Sequence, residues 1–352
     1  MPERDELFCM MDVRGMGLGR RSFLASALGG AACLTTSTEA ALAARAGAQV
    51  RTVLGPPKWV RTSVLDIAYA EAGPPHGRPV LLLHGWPYDI HTYADVAPLL
   101  AASGFRVIIP YSRGYGPTRF LSETGYRNGQ QAALASDAIE LIEALRLDRP
   151  IVGGCDWGAR TACILAVLYP EQISALVSVS GYLIGSQEAG AKPLIPEAER
   201  SWWYQYYFAT ERGQLGYAMH TREFARLIWK SASPAWSFDE PTFARSAAAL
   251  DNPDHVAITI HNYRWRLGVA EGEARYADME EKLAAFPPVT IPAITLEGDA
   301  NGAPHPSAED YRSRFAASYE HRLIDGGIGH NLPQEAPRAF ARAVIDAARM
   351  AR

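Results

Sequence analysis

The chain contains little cysteine, no long run of charge of one sign and no apolar stretch long enough to cross a membrane. Its four cysteines among 352 residues lack the spacing of a zinc site, and no cluster of histidines accompanies them. A net charge of −4 without a basic stripe excludes the usual electrostatic footprint of a nucleic-acid-binding protein. No glycine-rich segment follows the dinucleotide fingerprint. We therefore expect no metal, no organic cofactor, no nucleic-acid partner and no stable membrane insertion.

The composition that is present indicates a globular protein. Hydrophobic residues make up 48% and charged residues 20% of the chain. Its length is enough for one large α/β domain with an inserted segment, or for two small domains. The order of apolar segments along the chain decides between these two arrangements.

The first 43 residues have the order of a secretory signal. Arg20 and Arg21 stand directly before a stretch of apolar and small residues that runs to about Leu34, and Ala41–Ala43 follows as an A-x-A-like cleavage site. The paired arginines resemble the twin-arginine export signal. We therefore expect export to the periplasm or the extracellular space. The alternative is an amphipathic N-terminal helix that packs on the domain.

Short apolar segments alternate with helical patterns through the next part of the chain. Helical periodicity is present at 130–147 and 158–169, and the apolar segments predict buried strands at 80–83, 105–110, 150–153 and 173–179. Continuous apolar strands separated by helices indicate a parallel sheet that is covered on both faces.

This alternation is lost between 182 and 286, where aromatic residues, charged residues and helical patterns replace buried strands. Strand patterns resume at 289–296 and 321–324, and a last helical pattern begins at Pro333. We therefore predict a core α/β domain in two parts, 44–181 and 287–352, with a helical cap at 182–286 inserted between them.

The segment Gly154–Gly158 carries the strongest chemical signal in the sequence. It reads Gly-Cys-Asp-Trp-Gly after a predicted strand and before a predicted helix, the pattern of a nucleophile elbow with Asp156 in place of the usual serine. Small residues on either side allow a sharp turn, and the amides at the start of the following helix favour a carboxylate there. The alternative is an ordinary aspartate N-cap with a structural role only.

Two further segments contain residues that can act together with Asp156. Trp86 lies in His-Gly-Trp-Pro at the end of an earlier predicted strand, so the backbone amides of Trp86 and Trp157 can converge on a developing oxyanion. His330 follows the last predicted strand on a glycine-rich loop. A single loop histidine is usually a solvated surface residue, but the order of nucleophile and then histidine favours a catalytic base.

These motifs and their order resemble the α/β-hydrolase superfamily, and within it the branch of epoxide hydrolases and haloalkane dehalogenases, whose nucleophile is aspartate. The resemblance covers almost all of the chain after the predicted signal. It implies an α/β-hydrolase fold with an eight-stranded, mostly parallel sheet and an inserted helical cap. It also implies that Asp156 is the nucleophile, that His330 is the base and that the amides of Trp86 and Trp157 form the oxyanion hole.

Two cap segments favour the epoxide hydrolases within this branch. Matched residue by residue, Tyr204 in Tyr-Gln-Tyr-Tyr-Phe and Tyr263 in Asn-Tyr-Arg correspond to the two tyrosines that bind the epoxide oxygen. Opening an epoxide leaves an alkoxide, which two phenol donors can bind and protonate. The alternative is that both rings only pack within the cap. The resemblance thus implies hydrolysis of a small apolar epoxide to a vicinal diol through an Asp156 ester, without a cofactor.

The third member of the catalytic triad departs from the family pattern. An acid is expected in the loop after the strand ending at Leu296, where the G-x-x-D register places Asn301. An amide can accept the histidine N–H, but it cannot offset the charge of an imidazolium. Asp299 lies two residues earlier on the same loop, and the family's other acid position holds Ser180. The register favours Asn301 slightly and leaves Asp299 open as the partner of His330.

Two other functions remain open from the sequence. A haloalkane or haloacid dehalogenase would use the same pair, Asp156 and His330, and Trp157 can serve as one halide donor. A ligand-binding relative that has lost turnover is the non-enzyme alternative, and Asn301 in place of an acid is the observation that supports it.

Overall fold

The computed structural model of the protein describes residues 54–351. The predicted export signal at 1–43 therefore lies outside the described residues. A nine-stranded sheet forms the centre of the described chain, and its strands are β1 (Lys58–Arg61), β2 (Leu65–Ala72), β3 (Arg78–Leu83), β4 (Phe105–Pro110), β5 (Arg119–Phe120), β6 (Ile151–Gly154), β7 (Ala175–Val179), β8 (Ala293–Gly298) and β9 (Tyr319–Ile324).

Eight strands follow one another in the order β1-β2-β4-β3-β6-β7-β8-β9, and β5 pairs with β2 outside this row. The six strands from β4 to β9 along the row pair in parallel, while β1, β2 and β5 pair antiparallel. The inner parallel strands β6, β7 and β8 are buried along their whole length. Their continuous apolar sequences fit a sheet covered on both faces.

Fourteen α-helices are found among residues 54–351: α1 (Val96–Ala102), α2 (Gln131–Ala144), α3 (Trp157–Leu168), α4 (Gln187–Gly190), α5 (Pro196–Ser201), α6 (Trp203–Ala209), α7 (Glu211–Met219), α8 (Thr221–Ala232), α9 (Glu240–Ala247), α10 (His255–Arg266), α11 (Ala277–Ala284), α12 (Ala308–Tyr311), α13 (Leu332–Glu335) and α14 (Pro337–Met350). Helices α2 and α3 pack their apolar side chains on one face of the sheet, and α1 and α14 pack theirs on the other.

The chain between β7 and β8 forms helices α4 to α11, and no strand is described in this part of the chain. We call this helical insertion the cap. Its aromatic side chains form one buried cluster with Trp86 and Trp157 of the sheet domain. The indole ring of Trp86 contacts five aromatic rings of the cap: Tyr204, Phe208, Tyr217, Phe224 and Tyr263.

The structure confirms the predicted fold class of a mostly parallel sheet with an inserted helical cap. The sheet has nine strands where eight were predicted, because the two-residue strand β5 pairs with β2 outside the row of eight. One strand prediction was displaced: β8 begins at Ala293, and Val289 forms only an isolated bridge with Phe315. Pro292 lies between the two, and a proline nitrogen cannot donate to the ladder. Among residues 54–351, no helix has the length and apolar composition that a transmembrane helix needs.

Candidate active site

A sharp turn between β6 and α3 presents Asp156 at the carboxyl edge of the sheet. The backbone of Asp156 has φ of 57° and ψ of −122°, a conformation that costs free energy in a residue with a side chain. The glycines on either side allow the close approach of strand and helix. A Cβ atom at Gly154 would lie 2.3 Å from the carbonyl carbon of Gly158, and one at Gly158 would lie 1.8 Å from the oxygen of Leu83.

The two carboxylate oxygens of Asp156 have different surroundings. The backbone N–H of Trp86 donates to Oδ1 over 2.7 Å, and the amide of Trp157 also donates to the carboxylate. The other oxygen, Oδ2, lies 3.5 Å from Nε2 of His330. Oδ1 therefore accepts from a backbone amide, while Oδ2 lies near the histidine.

Burial acts on both members of this pair, but their mutual attraction outweighs it. Burial alone would raise the pKa of Asp156, yet the hydrogen bond and charge of His330 and the two tryptophan amides hold that pKa below its ordinary value. Burial would likewise lower the pKa of His330, but the carboxylates of Asp156, Glu297 and Glu335 raise it above its ordinary value. The Asp156 carboxyl group is thus ionised at neutral pH.

The loop that carries His330 is fixed to the cap and to α13. The backbone N–H of His330 donates to Oγ of Ser233 over 2.9 Å. Oγ of Ser233 in turn donates to Glu335 over 2.7 Å, and Glu335 also accepts from the backbone N–H of Gly329 over 2.7 Å. These bonds hold the backbone of the loop that carries the imidazole ring.

A cavity of about 80 Å³ lies beside Asp156 and is bounded by both the sheet domain and the cap. Asp156, His330 and the predicted pair Tyr204 and Tyr263 all line it. The two tyrosine rings meet edge to face, with their centres 5.4 Å apart. Burial and the charge of Asp156 raise the pKa of both phenols, so both keep their protons at neutral pH. The structure therefore brings together six of the eight predicted site residues: Asp156 and His330, the two tyrosines and the backbones of Trp86 and Trp157.

Neither residue predicted as the partner of His330 contacts it, and both predictions were wrong in this respect. The side-chain amide of Asn301 donates to Glu297 over 2.7 Å and to Ser180 over 3.3 Å. The carboxylate of Asp299 is occupied by three backbone N–H groups of the loop before His330, at Gly326, Gly327 and Ile328, over 2.8–3.0 Å. Asp299 thus holds the backbone of the loop before His330, and Asn301 binds the carboxylate of Glu297.

That carboxylate, Glu297, was missed from the sequence. It lies near the end of β8 and is buried, with 6% of its surface exposed. Its Oε2 lies 3.3 Å from Nδ1 of His305 but makes no hydrogen bond, and Nδ1 of His330 is likewise buried without a partner. A glutamate inside an otherwise apolar strand is itself a signal, because a buried carboxylate is rare without a function or a partner.

Among residues 54–351, no three His, Cys, Asp or Glu side chains are arranged to hold a metal ion.

Comparison with known proteins identifies the family. Residues 78–259 match the family model of the α/β-hydrolase fold. The crystal structure of a candidate epoxide hydrolase from Klebsiella pneumoniae subsp. pneumoniae has 57% sequence identity and a TM-score of 0.84, over 86% of this chain and all of that one.

Curated relatives match over shorter stretches. Epoxide hydrolase B of Mycobacterium tuberculosis is 30% identical over 161 residues, which are 42% of this chain and 44% of the relative. A haloalkane dehalogenase of Mycobacterium marinum is 32% identical over 213 residues, 58% of this chain and 68% of that protein. The chain thus spans less than half the length of the mycobacterial epoxide hydrolase that it matches.

The chain belongs to the α/β-hydrolase superfamily, a family of hydrolytic enzymes. Within that superfamily it lies in the epoxide hydrolase branch, as the motifs around Asp156 and His330 predicted.

Proposed function

We propose that the protein hydrolyses a small epoxide to a vicinal diol through a covalent ester on Asp156. The observation that carries the proposal is the arrangement around one cavity: an ionised aspartate whose Oδ2 lies 3.5 Å from Nε2 of a histidine, and two protonated phenols. A nucleophile, a base and two acids for the leaving oxygen are the groups that this reaction needs.

In the first step, Oδ2 of Asp156 attacks a ring carbon of the epoxide. The carbon–oxygen bond of the ring breaks, and the ring oxygen takes a proton from Tyr204 or Tyr263. The product is a hydroxyalkyl ester of Asp156. The second phenol stabilises the developing alkoxide by hydrogen bonding, since both tyrosines line the cavity.

In the second step, Nε2 of His330 removes a proton from water, and the resulting hydroxide attacks the carbonyl carbon of the ester. The amides of Trp86 and Trp157, already bound to the Asp156 carboxylate, stabilise the oxyanion that forms. The diol oxygen leaves and takes its proton from the imidazolium. The proton left on the Asp156 carboxyl returns to the tyrosinate, so the free enzyme is restored.

We assign Glu297 the role of the third triad member. Its buried carboxylate contributes to the raised pKa of His330, and both Oε2 of Glu297 and Nδ1 of His330 lack hydrogen-bond partners. A buried negative charge beside the ring offsets the imidazolium that forms during ester hydrolysis. Glu297 thus acts through His330 and is a positioning residue.

Hydrolysis of a carbon–halogen bond is the second candidate function. The indole N–H of Trp157 is buried without a partner and can donate to a departing halide, whereas the indole N–H of Trp86 already donates to Tyr217 over 2.8 Å. Only one such donor is therefore free at the nucleophile, while two phenols are available. The larger number of phenol donors therefore favours an epoxide over a halogenated compound as the substrate.

The test is a panel of terminal and internal epoxides assayed for diol, beside matched haloalkanes and haloacids assayed for halide. A His330→Ala variant should accumulate the ester, which mass analysis of the peptide containing Asp156 would detect as the added mass of the epoxide. Halide release without diol formation would establish the second candidate instead. Neither product and no ester would indicate a relative that binds ligand without turnover.

A further inference from the structure

Two arginines share the cavity with the proposed nucleophile. Arg160 lies in α3, one turn after Asp156, and Arg266 is the last residue of α10 in the cap. Both side chains line the cavity together with Asp156, Tyr204 and Tyr263. A catalytic cavity that holds a carboxylate nucleophile is therefore also lined by two guanidinium groups.

Neither guanidinium has an ion-pair partner among residues 54–351. Nε of Arg160 donates to the backbone oxygen of Leu183 over 2.7 Å, and the guanidinium of Arg266 lies 5.5 Å from the centre of the Tyr263 ring. The buried Arg113 is different, since it donates to the Asp137 carboxylate over 2.6 Å and 2.7 Å. Arg160 and Arg266 are half-buried, and a guanidinium that is partly withdrawn from water is stabilised by such a partner.

The carboxylates that attract Arg160, those of Asp156 and Glu280, also accept hydrogen bonds from other groups. Burial and the positive charge of Arg266 lower the pKa of Arg160 to about 9, although Asp156 acts in the opposite direction. Asp156 is already engaged by two amides and His330. Glu280 of α11 accepts hydrogen bonds from the side chains of Gln130 and Gln131 and from the backbone amide of Ala132. A bound anion would offset the repulsion between the two guanidinium groups.

We propose that Arg160 and Arg266 form a carboxylate subsite, and that the substrate is a small epoxide bearing a carboxylate group. The inference rests on the proposed epoxide hydrolysis and names the substrate class for that same cavity. A guanidinium presents paired N–H donors that match the two oxygens of a carboxylate. The cavity of about 80 Å³ is below the roughly 300–1,000 Å³ of drug-sized sites, so the carbon part must be short.

The subsite would contribute to catalysis in two ways. It would fix the distance between the carboxylate and the epoxide carbon, which places that carbon against Oδ2 of Asp156. It would also neutralise the substrate charge, because an anionic substrate is otherwise repelled by the nucleophile. The aromatic walls formed by Trp86, Tyr204 and Tyr263 would contact the apolar part of the same molecule.

The experiment compares each epoxy acid with its primary amide, which has nearly the same shape and no charge. The pairs are oxirane-2-carboxylate, 3,4-epoxybutanoate and 4,5-epoxypentanoate with their amides, assayed for diol with the full-length protein. For at least one pair we expect the acid to have the higher kcat/KM. Arg160→Gln and Arg266→Gln should each lower the acid-to-amide ratio of kcat/KM by about 10- to 100-fold. Arg160→Lys keeps the positive charge but loses the paired N–H donors of the guanidinium, so it should give an intermediate acid-to-amide ratio of kcat/KM.

The matched control is Arg338→Gln, which removes one positive charge from an exposed position outside the cavity. It should leave both the ratio and the basal activity unchanged. Circular dichroism and thermal midpoints identify any variant that fails to fold. An acid-to-amide ratio that never exceeds one, or that survives both Gln substitutions in folded protein, would overturn the subsite.

A second measurement separates this inference from the proposed function. Calorimetric titration with propanoate and propanamide measures binding without turnover. The unaltered protein should bind propanoate more tightly than propanamide, whereas the Arg160→Gln variant should show no such preference. If no epoxide gives diol while propanoate binding still depends on Arg160, the function fails and the subsite stands. If neutral epoxides give diol and propanoate binding does not depend on either arginine, the subsite fails and the function stands.

Discussion

The side-chain amide of Asn301 donates a hydrogen bond to the carboxylate of Glu297 over 2.7 Å. Asn301, at the position where the family usually has an acid, therefore forms a hydrogen bond with Glu297, an acid four residues earlier in the chain. Asn301 occupies Oε1 of Glu297, while Oε2 of Glu297 is buried without a hydrogen bond, as is Nδ1 of His330. The chain can thus keep a triad charge although the expected aspartate is absent.

Removal of the Glu297 charge should slow ester hydrolysis specifically. In Glu297→Gln we expect the deacylation rate to fall by roughly 10²- to 10⁴-fold, since the imidazolium loses its charge partner, while alkylation of Asp156 changes little. Rapid-quench mass analysis would show accumulation of the ester. Glu320→Gln, at an exposed pair with Arg322, is the control and should behave as the unaltered protein. Equal rates of deacylation in both variants would exclude Glu297 from the triad.

An acid at position 301 should impair the protein. Asn301→Asp replaces a hydrogen-bond donor with a second carboxylate next to Glu297, and two like charges at this distance cannot both ionise without a large cost. We expect a lower thermal midpoint by several degrees and a slower deacylation step. Asn301→Ala, which only removes the donor, should be less damaging. Faster ester hydrolysis in Asn301→Asp would mean that residue 301 does act on His330.

The two cap tyrosines should share one role. Tyr204→Phe or Tyr263→Phe alone should slow the alkylation step moderately, because the remaining phenol still protonates the epoxide oxygen. The double variant should lose about 10³-fold or more of that step. Single-turnover rates of ester formation measure the alkylation step directly. The control is Tyr206→Phe, because Tyr206 is exposed and lies in α6 together with Tyr204. Normal alkylation by the double variant would contradict epoxide opening by phenol donors.

The pKa of His330 should depend on Asp156. In the free protein it should lie above the ordinary value of about 6.5, because the Asp156 carboxylate outweighs burial. The protonated ring then stabilises the fold below pH 6.5, and this contribution is lost as the pH rises through the raised pKa. Asp156→Asn should shift the titration of His330 to lower pH, since burial then dominates. Titration of selectively labelled histidine by NMR measures both values, and an unchanged pKa in the variant would contradict the pairing.

We propose that residues 1–43 are removed during export. The motivating observation is the order of Arg20 and Arg21, the apolar stretch and Ala41–Ala43. N-terminal sequencing of the protein from its own cell should then begin near Ala44, and Arg20→Lys with Arg21→Lys should cause the uncleaved form to accumulate. An intact N-terminus on the protein outside the cytoplasm would contradict this prediction.

The parallel half of the sheet could be predicted from the sequence because its strands are buried on both faces. Strands such as β6 and β7 therefore have continuous apolar sequences between helical patterns. Strands β1 and β2 were not predicted. They pair antiparallel at one end of the row. Trp59 of β1 is exposed, and Asp66 and Glu71 interrupt the apolar residues of the mostly buried β2, so no continuous apolar run marks either strand.

The site could be predicted where its geometry is local. Asp156 is fixed by a turn of five residues, and its glycines appear directly in the sequence. The roles of Glu297 and Arg266 depend on contacts between segments that are distant in the chain. A family register placed the triad acid at Asn301, and only the packing of side chains around β8 shows where the buried carboxylate lies.

The ring of Trp86 links the sheet domain to five aromatic side chains of the cap, and its indole N–H donates to Tyr217. The cap therefore shares its apolar cluster with the sheet domain. Separation of the cap would expose this cluster to water, at a cost of roughly 25 cal/mol for each Å² of apolar surface. Heating should consequently melt the cap and the sheet in a single cooperative transition, and a separately expressed fragment of residues 187–284 should remain unfolded.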